Sequence, residues 1–238
     1  MSGMKREAAL GIMCKAPRPG GTKTRLGALI GDISAARLSE CFLRDVAAAI
    51  EAVPEELGRK SYAIYAPADA ERELRRILPA SFDLLMKIDV QLGNVLHGAV
   101  RDLLVLGHDC VVLINGDSPT LPSRYLRDAV EALRRAGDRM VLGPAADGGY
   151  YLIGLKFPHR QIFLDIPWGT DAVARLTLQR ARDIGLESLC LPEWYDVDDA
   201  ESLGWLREEL SGRSQRFRGG GAADATRAHL VATTMARQ

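Results

Sequence analysis

A loop near the start of the chain is crowded with glycines and basic residues. The segment "KAPRPGGTKTRL" begins directly after an apolar run. The backbone N–H groups of a glycine turn can bind an anion, and lysine and arginine can neutralise a diphosphate. The segment has neither the GxxxxGK[ST] spacing of a phosphate loop nor the GxGxxG spacing of a dinucleotide-binding loop. It indicates an anion site of another kind, with a solvated basic loop as the alternative. The candidate binding residues are Lys15, Gly20, Gly21, Lys23 and Arg25.

Three aspartates stand where predicted strands end or a helix begins. Asp117, in "VVLINGDSPTLP", follows an apolar strand that Pro119 prevents from continuing. Asp147 precedes two glycines, and Asp198 precedes the last predicted helix. Because Mg²⁺ and Mn²⁺ prefer carboxylate oxygens, Asp117 is a candidate metal ligand, and the acidic run of Asp196, Asp198 and Asp199 could supply a second one. Structural alternatives exist for each aspartate: a turn or helix cap for Asp117, a hairpin turn at Asp147, and a capping box between Asp198 and Glu201.

Glycines and aromatic residues near these aspartates are candidate substrate-binding residues. Gly148 and Gly149, in "LGPAADGGYYLIGL", allow backbone conformations that other residues avoid, or let a ligand lie against bare main chain. Tyr150 follows them directly. Trp168, in "FLDIPWGTDAV", is either a core anchor or a platform for a sugar ring.

Composition excludes several classes of function. The 31 Lys and Arg residues balance the 31 Asp and Glu residues, so no net charge directs the protein toward nucleic acid or an anionic membrane. Apolar runs are too short for a membrane span. The histidines lack HExxH spacing and no GxSxG occurs, which excludes zinc-hydrolase and serine-hydrolase chemistry. Four scattered cysteines indicate reduced thiols, and we expect a soluble, cytoplasmic protein; these are Cys14, Cys41, Cys110 and Cys190.

The elements that position these residues alternate between strand and helix patterns. Such alternation predicts an α/β fold with helices around a mainly parallel sheet. The predicted strands are "AALGIMC", "SYAIYAP", "DLLMKID", "CVVLING", "RMVLGPA", "YYLIGL" and "ESLCLPEW". Helices are expected to begin near Ser34, Asp69, Leu92, Pro122, Thr170 and Asp198.

This arrangement predicts one site in one domain. Ligands of open parallel sheets bind beyond the carboxyl ends of the strands. We therefore expect Lys15, Lys23, Asp117, Asp147 and Asp198 to converge on one cleft within a domain spanning residues 1–210. The remaining residues, 211–238, contain three consecutive glycines and little apolar periodicity, which predicts a mobile tail.

Five of these stretches together resemble one family. "KAPRPGGTKTRL", "INGDSPTLP", "GPAADGGYYLIGL", "DIPWGTDAV" and "DVDDAESL" occur in the order found in a bacterial family of candidate glycosyltransferases, formerly a domain of unknown function. Some of its members are named for arsenosugar biosynthesis. The resemblance covers about residues 8–210 and implies the GT-A fold of the nucleotide-diphospho-sugar transferases, a Rossmann-like three-layer sandwich. Relatives of that fold include molybdenum-cofactor and phospholactate guanylyltransferases and CMP-Kdo synthetases.

The resemblance also implies roles for particular residues. Lys15, Gly20, Lys23 and Arg25 would bind the nucleotide and its phosphates, and Asp117 would bind Mg²⁺ or Mn²⁺. Asp198 matches the aspartate of the "VDTPEDL" stretch that completes the metal site in cytidylyltransferases. The sequence departs from that pattern where Asp199 and Ala200 replace Thr-Pro. It also lacks the DxD motif of many glycosyltransferases.

Two reactions fit the same residues. In glycosyl transfer, Lys23 and the metal stabilise a departing nucleoside diphosphate while Asp147 deprotonates the hydroxyl of a small-molecule acceptor. In nucleotidyl transfer, the same groups stabilise charge on an NTP as pyrophosphate leaves. We favour glycosyl transfer, because the first loop only partly resembles the glycine-rich loop of the nucleotidyltransferases. A non-catalytic nucleotide-sugar-binding protein is a further alternative.

Overall fold

A seven-stranded sheet forms the centre of the computed structural model, which describes residues 7–235. The strands lie in the order β3-β2-β1-β4-β6-β5-β7. All neighbours are parallel except β6, which runs antiparallel to both β4 and β5. The predicted mainly parallel α/β architecture is confirmed. The strands are β1 (Ala8–Lys15), β2 (Arg59–Ala66), β3 (Asp83–Met86), β4 (Cys110–Asn115), β5 (Arg139–Pro144), β6 (Tyr150–Leu155) and β7 (Glu187–Cys190).

Helices cover both faces of this sheet, which explains why its central strands are apolar throughout. The helices α2, α3, α5 and α7 pack on one face, and α4 and α6 pack on the other. None of the helices within residues 7–235 is both long and apolar enough to cross a membrane. The helices are α1 (Thr24–Ile30), α2 (Asp32–Glu51), α3 (Glu71–Ile77), α4 (Leu92–Val105), α5 (Ser123–Arg134), α6 (Val173–Asp183), α7 (Ala200–Leu210) and α8 (Asp224–Met235).

The start of α2 differs from the sequence prediction. The helix begins at Asp32, before the expected cap Ser34. Gly31 causes the difference. Its positive φ of 88° interrupts the helical backbone between α1 and α2, and its N–H donates to the carbonyl of Gly27 at the end of α1. Local patterning favoured Ser34 because α1, which begins near the end of the basic segment, was not predicted.

The prediction of a mobile tail is wrong for residues 211–235. Phe217 is buried, with its ring centroid 4.5 Å from that of Tyr195. The helix α8 packs against α2, and the carboxylate of Asp45 accepts hydrogen bonds from the N–H groups of Ala225 and Thr226, each at 2.9 Å. A carboxylate at a helix N-terminus satisfies otherwise unpaired donors. Because Asp45 lies on a different helix, no local sequence pattern reveals this contact. Residues 236–238 lie outside the described residues.

Substitution of Asp45 tests this attachment of α8. We expect Asp45→Ala to lower the free energy of unfolding by about 2 kcal/mol, because two N–H donors lose a charged acceptor. The matched control is Glu40→Ala on the same helix, where the exposed pair with Arg44 contributes less than about 1 kcal/mol. Urea unfolding of both variants measures the difference. Equal losses would contradict the role of Asp45.

Candidate active site

The loop after β1 is held in place by its own arginine. The guanidinium of Arg18 contacts Glu73 at 2.9 Å and Asp69 at 3.0 Å. The backbone carbonyl of Arg18 accepts the N–H of Gly21 at 2.9 Å. Gly20 provides the positive φ of 71° that this turn requires. Arg18 therefore fixes the loop against the region of α3, and the other cations of the loop remain for the site.

Lys23 lies at the centre of the site. Its side chain is 4% exposed, and its ammonium nitrogen lies 2.8 Å from Asp117 and 2.5 Å from Asp198. Burial alone lowers the pKa of Lys23, but the two carboxylates outweigh that effect and raise it. The backbone of Lys23 is left-handed, with a φ of 53°, a conformation that costs a non-glycine residue about 1 kcal/mol or more. The protein thus holds the ammonium of Lys23 between two aspartates.

Asp117 reaches this position from the end of β4. A Cβ on the preceding residue, Gly116, would lie 2.8 Å from a methyl group of Leu43 and 3.2 Å from the carbonyl oxygen of Met13, so a side chain there would require Leu43 to shift. The carbonyl of Asp117 accepts the N–H of Val197 at 2.9 Å, which joins β4 to the segment carrying Asp198. The alternative role as a helix cap is not observed, since α5 begins at Ser123 without a side-chain cap.

Asp198 is free to pair with Lys23 because its neighbour caps the helix. The side chain of Asp199 accepts the N–H of Ser202 at 2.9 Å, and the hydroxyl of Ser202 accepts the N–H of Asp199 at 3.1 Å. The expected capping box between Asp198 and Glu201 is therefore wrong by one residue. The second carboxylate oxygen of Asp198 contacts Arg25 at 3.1 Å, at the exposed rim of the site.

Asp147 stands in the turn between β5 and β6, so the hairpin interpretation of this segment is confirmed. One of its oxygens accepts the N–H of Gly149 at 2.8 Å. Gly148 has a φ of 88°, and a Cβ there would lie 2.2 Å from the carbonyl oxygen of Asp171. The Gly148 carbonyl in turn accepts the N–H of Ala174 at 2.9 Å. Gly148 thus packs the turn against the start of α6.

Asp196 is a fourth carboxylate of the site; the sequence places it in the acidic run from which Asp198 alone was selected as a metal ligand. Its burial, reinforced by the charges of Asp147, Asp198 and Asp117, raises the pKa of Asp196 to about 7. Its position two residues before Asp198 was the sequence signal for this placement, because residues two apart in an extended segment face the same side. The four carboxylates carry more negative charge than Lys23 alone balances.

Two adjoining cavities open at this edge of the sheet. The larger is a polar cleft of about 780 Å³ lined by Lys15, Gly21, Lys23, Asp117 and Asp198. The smaller, of about 210 Å³, has mostly apolar walls and is lined by Asp117, Asp147, Gly149, Tyr150 and Trp168. Asp117 belongs to both. Gly20, Arg25 and Gly148 line neither cavity.

The donor set fits a divalent cation that also binds a ligand. Within residues 7–235, no three His, Cys, Asp or Glu side chains are arranged as a metal site. Asp117 and Asp198 nevertheless both lie within 2.8 Å of one cationic atom, the ammonium nitrogen of Lys23. Mg²⁺ in nucleotide sites is usually held by one or two carboxylates together with phosphate oxygens. Two aspartates beside a cleft of about 780 Å³ match that pattern.

Comparisons with known proteins agree with this architecture. Residues 49–170 match the family model described as "Uncharacterized protein conserved in bacteria (DUF2064)". The chain is similar to a candidate nucleotide-diphospho-sugar transferase from Desulfovibrio desulfuricans G20, with 30% identity, a TM-score of 0.82, and coverage of 98% of this chain and 96% of that one. Among proteins of curated function, none matches.

Two more distant structures share the fold. CMP-2-keto-3-deoxy-manno-octonic acid synthetase with CTP has 12% identity, a TM-score of 0.57, and coverage of 87% of this chain and 100% of that one. Glucosyl-3-phosphoglycerate synthase from Mycobacterium tuberculosis, bound to Mn²⁺ and UDP, has 13% identity, a TM-score of 0.52, and coverage of 87% and 78%. The expected GT-A architecture is thereby confirmed.

A matched pair of substitutions tests the central position of Lys23. We expect Lys23→Met to lower the free energy of unfolding by about 2 kcal/mol, because it removes the buried counter-charge shared by two partly buried carboxylates. Arg25→Met removes an exposed partner of the same Asp198 and should cost less than about 1 kcal/mol. Urea unfolding at neutral pH compares the two, and a loss for Arg25→Met as large as for Lys23→Met would refute this assignment.

Proposed function

The chain belongs to the bacterial DUF2064 family, and from this membership we propose that it is a metal-dependent glycosyltransferase that uses a nucleotide-diphospho-sugar. One observation carries the proposal: a buried lysine between two aspartates, at the carboxyl edge of the sheet, beside a cleft of about 780 Å³. Parallel sheets bind ligands at this edge, and a cleft of this size accommodates a nucleotide. The similar Desulfovibrio protein supports the substrate class.

The polar cleft supplies the groups that a nucleoside diphosphate needs. Asp117 and Asp198 would hold Mg²⁺ or Mn²⁺, which when bound stabilises negative charge on the departing diphosphate. Lys15 lines the cleft with the backbone of Gly21, and both are available to phosphate oxygens. Lys23 would exchange its aspartate partners for phosphate when the cation binds, since its ammonium then faces a competitor for the same carboxylates.

Asp147 is the proposed general base. It lines the apolar cavity, where an acceptor hydroxyl would lie, and only one of its oxygens is used by the N–H of Gly149. The other oxygen can take the hydroxyl proton as the glycosidic bond forms. Trp168 and Tyr150 line the same cavity with their ring centroids 6.2 Å apart, in an edge-to-face arrangement. They offer an aromatic wall against which an acceptor can pack.

Nucleotidyl transfer is the second candidate, because the polar cleft would hold an NTP with the same groups. The two activities differ in what binds with the metal. An NDP-sugar such as UDP-glucose or GDP-mannose supports glycosyl transfer, whereas CTP or GTP binding without NDP-sugar binding supports nucleotidyl transfer.

Asp117→Asn tests the metal site. We expect the variant to lose at least about tenfold in Mn²⁺-dependent affinity for the nucleotide ligand, because a carboxylate in contact with the cation becomes neutral. Its melting temperature should fall only slightly, because the buried Lys23 loses one of its two charged partners while repulsion among the aspartates also falls. Calorimetric titrations of UDP-glucose, GDP-mannose and CTP, with Mn²⁺ and with EDTA, measure the effect.

Asp199→Asn is the matched control for that titration. Asp199 neighbours the site in sequence but caps α7, and asparagine caps helices nearly as well as aspartate. Its nucleotide affinity should equal that of the wild type. Identical Mn²⁺-dependent affinities in the wild type and Asp117→Asn would remove Asp117 from the metal site.

Asp147→Asn tests the general base. Asparagine can still accept the N–H of Gly149, so the turn and the nucleotide affinity should persist. The rate of sugar transfer, or of NDP-sugar hydrolysis with water as acceptor, should fall by about 10²-fold or more. The release of nucleoside diphosphate measures this rate. A rate within twofold of wild type would exclude Asp147 as the base.

A further inference from the structure

The apolar cavity has an unusual charge distribution. Three of its lining residues are carboxylates, Asp117, Asp147 and Asp196, and none is a lysine, arginine or histidine. Within residues 7–235, Asp147 and Asp196 form no ion pair, and Asp117 pairs with Lys23 on the side of the polar cleft. A cation held by Asp117 and Asp198 would still leave Asp147 without a compensating charge at this cavity. An anionic ligand would therefore meet like charges here, which disfavours binding.

The remaining walls are apolar and aromatic. Leu96, Leu113 and Ile153 form part of the cavity together with the edge-to-face pair of Tyr150 and Trp168. The volume of about 210 Å³ exceeds the roughly 150 Å³ that suffices for benzene in an engineered cavity. A ring with a small polar substituent fits this space.

Tyr150 supplies a polar group without a protein partner. Its hydroxyl is buried and makes no hydrogen bond in the described part of the chain. An unpaired buried hydroxyl costs about 1–3 kcal/mol, so such groups are rare unless a ligand or water pairs with them. The neighbouring Tyr151 differs, because its hydroxyl donates to the carbonyl of Pro192 at 2.9 Å. Tyr150 is therefore available to pair with a ligand oxygen.

We propose that the apolar cavity selects the acceptor: a small neutral or cationic alcohol with a flat apolar face, held by Trp168 and hydrogen-bonded by Tyr150, and that anionic acceptors are rejected. This inference rests on the proposed function, because it assigns the acceptor of that reaction. Phosphorylated and carboxylated acceptors should bind poorly, because the carboxylates that line the cavity repel them. The chemistry that follows is transfer of the sugar to the alcohol oxygen, with the hydroxyl proton passing to Asp147 and nucleoside diphosphate leaving.

Matched probes that share one ring test the charge preference. Benzyl alcohol, benzylamine and benzoate are titrated into the full chain in EDTA and followed by ligand-observed NMR, so that no nucleotide or metal is needed. We expect the alcohol and the amine to bind at least about tenfold more tightly than benzoate. Equal or tighter binding of benzoate, or no binding of any probe, would overturn the proposal.

Two variants localise that preference to the apolar cavity. Thr170 lines it and is exposed, so Thr170→Arg should introduce a cation at the rim and shift the preference toward benzoate, whereas Thr170→Gln should not. Tyr150→Phe should weaken benzyl alcohol binding about fivefold while leaving the melting temperature unchanged or raised, because its hydroxyl has no partner to lose. An unchanged preference in Thr170→Arg, or an unchanged alcohol affinity in Tyr150→Phe, would refute the assignment.

The result of the probe titrations can be distinguished from the result of the nucleotide titrations. If the probes follow the expected order and no NDP-sugar binds, the apolar cavity stands as an alcohol site and the proposed transferase function falls. If NDP-sugars bind with Mn²⁺ and the probes fail, the acceptor assignment falls and the transferase function stands.

Discussion

The site depends on one electrostatic constraint, the pairing of a buried ammonium with two carboxylates. A charge removed from water must be paired, and Lys23 finds its partners on two other segments of the chain. The loop after β1, the end of β4 and the segment before α7 therefore meet at one point. The backbone hydrogen bond between Asp117 and Val197 and the salt bridges of Arg18 hold these segments in place around it.

The antiparallel strand β6 explains how one edge of the sheet carries two different cavities. In a wholly parallel sheet, each strand would end at this edge and the following residues would leave it. Because β6 runs in the opposite direction, it starts here, and its first residue, Tyr150, lies beside the end of β4. The turn at Asp147 precedes it. Parallel strands thus build the polar cleft, and the hairpin between β5 and β6 builds the apolar cavity.

Local patterns in the sequence were sufficient for the strands and for the residues at their ends. All seven strands lie where apolar runs predicted them, and Lys23, Asp117 and Asp198 meet as the rule for parallel sheets requires. Contacts between distant segments were not predictable in this way. The attachment of α8 depends on Asp45, 180 residues before Ala225. Likewise, the ion pairs that hold the loop after β1 join Arg18 to residues 51 and 55 positions away in the sequence.

The distribution of charge connects stability with ligand binding. Four aspartates face one region of the site. Among the described residues, Lys23 is the only buried cation that pairs with any of them, and Arg25 pairs with Asp198 at the exposed rim. The unliganded site therefore retains like-charge repulsion that packing elsewhere must offset. A cation bound at Asp117 and Asp198 would relieve this repulsion and release Lys23 toward the polar cleft. Cation binding would therefore stabilise the site, as expected where charges are arranged for binding rather than for folding.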